Sequence, residues 1–352
     1  MSATFARYVK YAESVAQFGF FSTIIFCFIF ITLTIFGVKR NFGSYKNLLV
    51  LFSVVGIVFA TIELILYPNV YSHNAGYIFY STKRPFNISK ETMTWCLAFY
   101  TAIYASTISM LSVQFVYRYW AIFDETKLRF FKGWKFSICF LHSVYFGIQW
   151  GFGVYYFDHI DDYSKNYLKQ ELLYRYNIDI SEIPAMTLVA YDENGDIRWF
   201  NISCTLNMTF IISIQYSIII YCAVFMYRKM ESKLRILSFS LQNLHKQFFK
   251  TLILQILTPT ITLFSPVLFI MLLPFLDIQT DLPTGIFLCA LTIYPAMDAI
   301  IVMYIVKDYR KAMKNILKKY IDQLHKWLAT SNDNTTSRTK SAPAKTSAVL
   351  NN

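Results

Sequence analysis

Seven stretches of this chain are apolar at nearly every position, at about residues 14–36, 47–68, 93–117, 136–157, 205–227, 251–276 and 283–306. They are continuous runs, not alternations of apolar and polar residues. Each is long enough for a helix to cross a bilayer, which takes roughly 20 residues. In hydrocarbon, backbone N–H and C=O groups are satisfied only within helices or closed barrels, and the absence of alternation selects helices. The pattern predicts an all-α membrane protein, a seven-transmembrane helix bundle within residues 1–306.

Beyond the seventh run the pattern changes. Met313, Ile316, Leu317, Tyr320, Ile321, Leu324, Trp327 and Leu328 recur at a helical period, with Lys311, Lys314, Lys318, Lys319 and Lys326 between them. Residues 307–329 read as a basic amphipathic helix, which lies either on an anionic membrane surface or against a partner. Residues 330–352 are rich in Ser, Thr, Asn, Lys and Ala and read as a disordered cytoplasmic tail. The longest gap between runs, about 158–203, carries nine acidic and four basic residues together with Tyr, Ile and Leu, and is expected to fold over the outer face.

Composition agrees with a membrane protein: 55% of the 352 residues are hydrophobic and only 15% charged, against about 25% charged in soluble domains. The net charge of +12 does not form a nucleic-acid patch, because the Lys and Arg lie between the apolar runs. Their distribution sets orientation. The gaps after runs one, three, five and seven hold 24 of the 33 basic residues, so these gaps are expected to face the cytoplasm and the N-terminus the outside. Leaving out the tail, the ratio is still 14 to 9. The first run is too long for a signal-peptide core and lacks a small-residue cleavage site.

Two charged residues remain inside the runs, Glu63 and Asp298. An intramembrane carboxylate is costly and marks a candidate functional site. Glu63, toward the outer end of run two, either anchors a ligand or makes a structural contact. Asp298 lies beside Pro295, where a kink frees a backbone carbonyl, and serves either a rearranging polar network or a static bond to run two or three. Pro259, Pro266 and Pro274 bend run six, as a hinge or as a fixed irregularity. Cys96 and Cys204 both fall on the outer, oxidising side and are expected to pair. Asn87 and Asn201 head N-x-S/T sequons on that side, while the Asn207 sequon lies too near the membrane. No phosphate-binding loop, zinc spacing or nucleophile elbow is present, so no enzymatic activity, cofactor or metal is expected.

Arg118 ends the uninterrupted third run, in Tyr117-Arg118-Tyr119-Trp120-Ala121-Ile122. That sequence resembles the end of the third helix in the Str-type seven-transmembrane chemoreceptors of nematodes, G-protein-coupled receptors in the broad sense. Leu241-Gln242, then Gln247-Phe248-Phe249-Lys250-Thr251-Leu252, Gln255 and Pro259, resemble the entry into helix six of that family. Ile293-Tyr294-Pro295-Ala296-Met297-Asp298, with Val306-Lys307-Asp308-Tyr309-Arg310, is similar to its seventh-helix ending. Tyr117 stands where other receptors carry an acid, and Tyr-Pro-x-x-Asp replaces Asn-Pro-x-x-Tyr, so activation details do not transfer from those receptors. The resemblance implies an odorant or small-molecule receptor on sensory cilia, coupled to a heterotrimeric G protein.

On this reading a ligand enters from outside between runs two, three, five, six and seven. Glu63, Phe99, Tyr100, Tyr104, Gln149 and Tyr216 are the candidate lining residues, and Arg118, Tyr119, Pro259, Pro295 and Asp298 the candidate coupling residues. The basic third inner gap, with Arg228, Lys229, Lys233, Arg235, Lys246 and Lys250, would complete the cytoplasmic surface. The alternatives are a ligand-gated odorant channel, which requires a cytoplasmic N-terminus, and a transporter, for which no internal repeat is visible.

Overall fold

Each apolar run becomes a helix whose ends follow from local sequence. The protein was analysed as a computed structural model, which describes residues 3–38, 43–234, 252–276, 281–282 and 284–340, with side-chain surroundings described for 10–38, 43–229, 252–276 and 284–323. The helices are α1 (Ala3–Thr32), α2 (Ser44–Leu66), α3 (Lys90–Phe123), α4 (Phe136–Phe157), α5 (Asp162–Tyr176), α6 (Trp199–Leu234), α7 (Leu252–Leu276), α8 (Gly285–Ile305) and α9 (Lys307–Lys340). Six of them, α1, α2, α3, α6, α7 and α8, are long and apolar enough to cross a membrane. The seventh member of the bundle is α4, 22 residues without a charge. It matches the fourth run but is diluted by Gly, Tyr, Gln and His.

Small residues set how closely α4 approaches α3. A Cβ added at Gly151 would lie 2.9 Å from the Ala102 Cβ and 3.1 Å from the Ala98 carbonyl oxygen. Gly147, one turn away, meets Ala102 and Ser106 in the same way. Small residues four apart let two helix backbones pack closely where no hydrophobic effect drives association.

Proline shapes α7 and α8. In α7 the turn Thr260–Phe264 is a π-turn lying between Pro259 and Pro266. In α8 a tighter 3-10 turn, Ala290–Ile293, precedes Pro295 at the start of the regular segment. Neighbouring helices take up carbonyls around both irregularities. The Tyr104 hydroxyl donates to the Leu263 carbonyl (3.0 Å), Thr23 Oγ1 donates to the Thr292 carbonyl (2.6 Å), and the Cys27 thiol donates to the Pro295 carbonyl (3.6 Å). Gly56 of α2 leaves room for the Pro295 ring, which a Cβ there would meet at 2.5 Å.

The helical bundle expected from the apolar runs is present, and one end of it also carries a small sheet. Strands β1 (Pro68–His73), β2 (Gly76–Ser81), β3 (Ala185–Val189) and β4 (Asp281–Leu282) form an antiparallel sheet in the order β3-β2-β1-β4. Tyr67 in the left-handed conformation and Pro68 after it end α2 and start β1. The β1–β2 hairpin turns through Asn74 at φ 45°, a conformation asparagine tolerates better than most residues. Alternate strand residues face opposite ways. Val70, Tyr77 and Phe79 join the core of the bundle, whereas Tyr71, Ile78 and Tyr80 pack with Leu168, Leu172 and Tyr176 of α5. The Asp161–Ser164 capping box starts α5 and a left-handed Asn177 ends it. The long gap does fold over this end, as a helix-on-sheet layer.

At the opposite end, Val306 is extended and separates α8 from α9. Tyr309 of α9 is buried, stacks on Phe30 at 5.2 Å and shares a hydrogen bond with Thr34 at 2.9 Å, docking the first turns of α9 on α1. The helix α9 continues to Lys340, past the expected end at 329, and no Gly or Pro interrupts the sequence before Pro343. Residues 341–352 of the expected tail, and the Leu241–Thr251 motif, lie outside the described residues.

Candidate functional site

Beneath the sheet is a cavity of about 70 Å³ between α3, α4, α6, α7 and α8. Its roof is Val70, Tyr77 and Phe79 of the hairpin, and Val267, Ile270 and Met271 of α7 form one wall. Of the residues expected to line a pocket, the structure brings Tyr100 and Tyr104 to it. The Glu63 carboxylate is buried beside the Tyr100 hydroxyl and the Cys289 thiol, and its oxygens have no hydrogen-bond partner among the described residues.

Three expected lining residues are elsewhere. Phe99 is 60% exposed on the outer surface of the bundle, one position round the helix from Tyr100. Gln149 braces α4 against α6, donating to Asn207 Oδ1 at 2.9 Å while the Asn207 amide donates back to its carbonyl at 3.3 Å. Tyr216 lies at the π-turn, its hydroxyl 3.2 Å from Thr260 Oγ1 and its ring 5.0 Å from that of Phe264.

Asp158, the first residue of the long gap after the fourth run, lines the cavity and is 1% exposed. The Tyr77 hydroxyl donates to its Oδ2 at 2.7 Å, and its backbone carbonyl accepts from Thr187 N–H of β3 at 2.8 Å. One residue thus ties the end of α4 to two strands of the roof. Burial pushes its carboxyl from an ordinary 3.8 up to about 7, against the opposing pull of the Tyr77 hydroxyl and the Cys204 thiol. The Tyr77 phenol is pushed up as well, first by burial and then by the neighbouring carboxylate. A carboxylate directly after an apolar run was the available signal, but its partners come from strands far away in sequence.

Two expected outer-side features are corrected by the start of α6 at Trp199. The helix begins before Asn201 and Cys204 and turns both inward. The Asn201 amide is 2% exposed and donates to the Phe157 carbonyl at 3.0 Å, so the nitrogen that a glycan would need is engaged. Cys204 is buried beside Asp158, and both it and Cys96 are free thiols, so the expected disulfide is not formed. Asn87, by contrast, is exposed, on the short turn before α3.

The second part of the site is a polar cluster at the opposite end. Arg118 is only 7% exposed. Its Nε donates to the Tyr45 hydroxyl of α2 (2.6 Å), one terminal nitrogen to Gln255 Oε1 of α7 (2.5 Å), and the other to Gln114 Oε1 (3.4 Å). Gln255 Nε2 donates onward to Asp298 Oδ1 of α8 at 3.2 Å. The rings of Phe115 and Tyr45 lie 5.4 and 5.6 Å from the guanidinium. A planar fork with five donors suits this multiple engagement. Asp298 therefore bonds α7, not α2 or α3. Tyr119 faces α6, with Tyr221 and Phe225 at 6.3 and 6.5 Å. Pro259 ends the helical segment that carries Gln255, and Pro295 lies in the first turn of the segment that carries Asp298. Among the described residues, no group of three or more His, Cys, Asp or Glu side chains is placed to hold a metal ion.

The family model for the serpentine type 7TM GPCR chemoreceptor Str matches residues 12–314. The chain belongs to the Str family. This Str receptor is 32% identical over 311 residues to "G-protein coupled receptor str-33" of Caenorhabditis elegans, an alignment covering 87% of this chain and 90% of the relative. It is 28% identical over 300 residues to "Serpentine receptor class r-10" of C. elegans, covering 84% and 88%, and 30% identical over 282 residues to the protein of the same name in C. briggsae, covering 78% and 81%. A multi-pass, seven-helix membrane receptor of the chemoreceptor type is thereby established, and the family is receptor-type, not enzymatic. In this Str receptor the cavity and the Arg118 cluster lie at opposite ends of one bundle, and α3, α7 and α8 contribute to both.

Proposed function

We propose that this Str receptor binds a small ligand in the cavity beneath the sheet and passes that binding to a heterotrimeric G protein at the Arg118 end. The observation that carries the reading is that α7 supplies both a wall of the cavity and the Gln255 held by Arg118. The irregular turn Thr260–Phe264 lies between them, and Tyr104, a cavity residue, donates to the Leu263 carbonyl within it. A ligand pressing on Tyr104 or Met271 shifts this turn and swings the Leu252–Pro259 segment, drawing Gln255 away from Arg118. The ligand drives the change only by its greater affinity for the state in which the two have parted.

The basic asymmetry supports a plasma-membrane receptor with the N-terminus outside and the Arg118 end in the cytoplasm, beside Arg228 and Lys229. Similarity to nematode chemoreceptors supports an odorant-like ligand and a sensory-cilium location. The test is Arg118→Ala in cells reporting G-protein activation. Surface expression and ligand binding are expected to persist while ligand-evoked signalling falls at least about tenfold, since the guanidinium engages three partners. Ligand-evoked responses that survive both this substitution and loss of G proteins would reject the reading and favour a channel. Epitope tags add a second check: one at Met1 should be reachable on intact cells and one at Asn352 should not.

A further inference from the structure

The cavity beneath the sheet is apolar except at a few atoms, and two of these lack partners. Asp158 Oδ2 accepts from Tyr77, but Oδ1 has no hydrogen-bond partner among the described residues, although the residue is 1% exposed and lines the cavity. The Cys204 thiol lies beside the carboxyl and is at most a weak, uncharged donor to it. The Tyr100 hydroxyl, also on the cavity wall, is likewise without a partner. Among the described residues, no Lys or Arg lines the cavity. A buried carboxylate oxygen left without a donor is costly, and a cationic donor compensates it best.

Resting on the ligand-site reading above, we propose that Asp158 is the polar anchor of the pocket and that the ligand is a small aliphatic amine. Its ammonium donates to Asp158 Oδ1, and its hydrocarbon part lies against Tyr104, Trp150 and Met271. Size limits the class. A cavity of about 150 Å³ holds benzene, so about 70 Å³ accommodates a skeleton of roughly three to five heavy atoms. The anchor also explains how so small a ligand would be sensed. Asp158 holds β2 through Tyr77 and β3 through the Thr187 N–H, so a cation at Oδ1 pulls on the roof of the cavity as well as filling it.

The experiment uses the full-length receptor in lipid nanodiscs and three probes of one size: n-butylamine, butan-1-ol and butanone. Binding is read as the ligand-dependent shift in Tm. Butylamine should bind wild type most tightly and lose at least tenfold in affinity in Asp158→Asn, which keeps an acceptor for Tyr77 but has no charge. If Asp158→Asn does not fold, the ranking of the three probes on wild type keeps the test readable. Equal butylamine affinity in wild type and Asp158→Asn overturns the anchor. Tighter binding of the alcohol or the ketone to wild type overturns the amine class while leaving the pocket in place, provided Leu288→Trp, which fills the cavity, abolishes that binding. Failure of all three probes to shift wild type, or shifts unchanged by Leu288→Trp, would instead remove the ligand-site reading on which the proposal stands.

Discussion

Arg118 of α3 donates to the carboxamide oxygen of Gln255 in α7 at 2.5 Å, and the nitrogen of the same carboxamide donates to Asp298 at 3.2 Å. Gln255 is therefore the piece between a cation and an anion that do not hydrogen-bond each other directly. An amide can do this because it offers an acceptor and a donor on one plane. Gln255→Leu keeps the volume and removes both bonds. It is expected to raise ligand-independent signalling severalfold, because a hydrogen bond to a charged group contributes about 1.5–3 kcal/mol and this one holds the resting arrangement. Basal reporter activity normalised to surface expression measures it, and an unchanged baseline would show that the contact does not hold the inactive state.

The close approach of α3 and α4 depends on Gly147 and Gly151. Gly151→Val places methyl groups where a Cβ alone already meets Ala102 and Ala98 too closely. The helices must then separate, and overpacking of this kind costs typically about 1–3 kcal/mol. A lower Tm and reduced surface expression are expected, while a substitution at lipid-facing Ile148, 65% exposed, should leave both within error. Equal effects at the two positions would contradict this packing.

Asp158 makes stability depend on pH in a stated direction. Its carboxyl titrates at about 7 in the fold, against an ordinary value of 3.8. The folded state therefore binds the proton more tightly than the unfolded chain does. The associated stabilisation is fully present below about pH 4 and is lost as pH rises through about 7, with an upper bound of about 4 kcal/mol at 1.36 kcal/mol per unit. The groups facing it are the Tyr77 hydroxyl and the Cys204 thiol, and neither is cationic. Wild type should melt at a higher temperature at pH 5.5 than at pH 8, and Asp158→Asn should flatten that slope. A slope equal in the variant would assign the pH dependence to other groups.

Glycan and thiol mapping tests where α6 begins. Asn87 is exposed and Asn201 is buried with its amide engaged. Asn87→Gln should raise gel mobility to that of the enzymatically deglycosylated protein, whereas Asn201→Gln should leave mobility unchanged. Under non-reducing digestion, Cys96 and Cys204 should be recovered as separate free thiols. A linked Cys96–Cys204 peptide, or a glycan on Asn201, would place the start of α6 beyond these residues.

What the sequence by itself determined is what depends on local composition. Runs too apolar and too long for water became helices, and α4 begins and ends where its run does. Lone charges in those runs, Glu63 and Asp298, stood out because nothing nearby masked them, and Arg118 stood out because 25 residues without a charge precede it. What tertiary structure decided is which of these groups meet. The sheet takes strands from residues 68–81, 185–189 and 281–282, and a pairing across such distances leaves no mark in any one segment. Its hairpin is hidden further because both faces are buried, one on the bundle and one under α5, so the strands show no polar alternation and their chief cue is Asn74 with Gly76 at the turn. The same long-range contacts turned Asp158 from a loop residue into a pocket wall, turned Asn201 and Cys204 inward, and inserted Gln255 between Arg118 and Asp298. The direction in which a helix's side chains point follows from where the helix starts and from what packs beside it, and both are settled only when the other helices are in place.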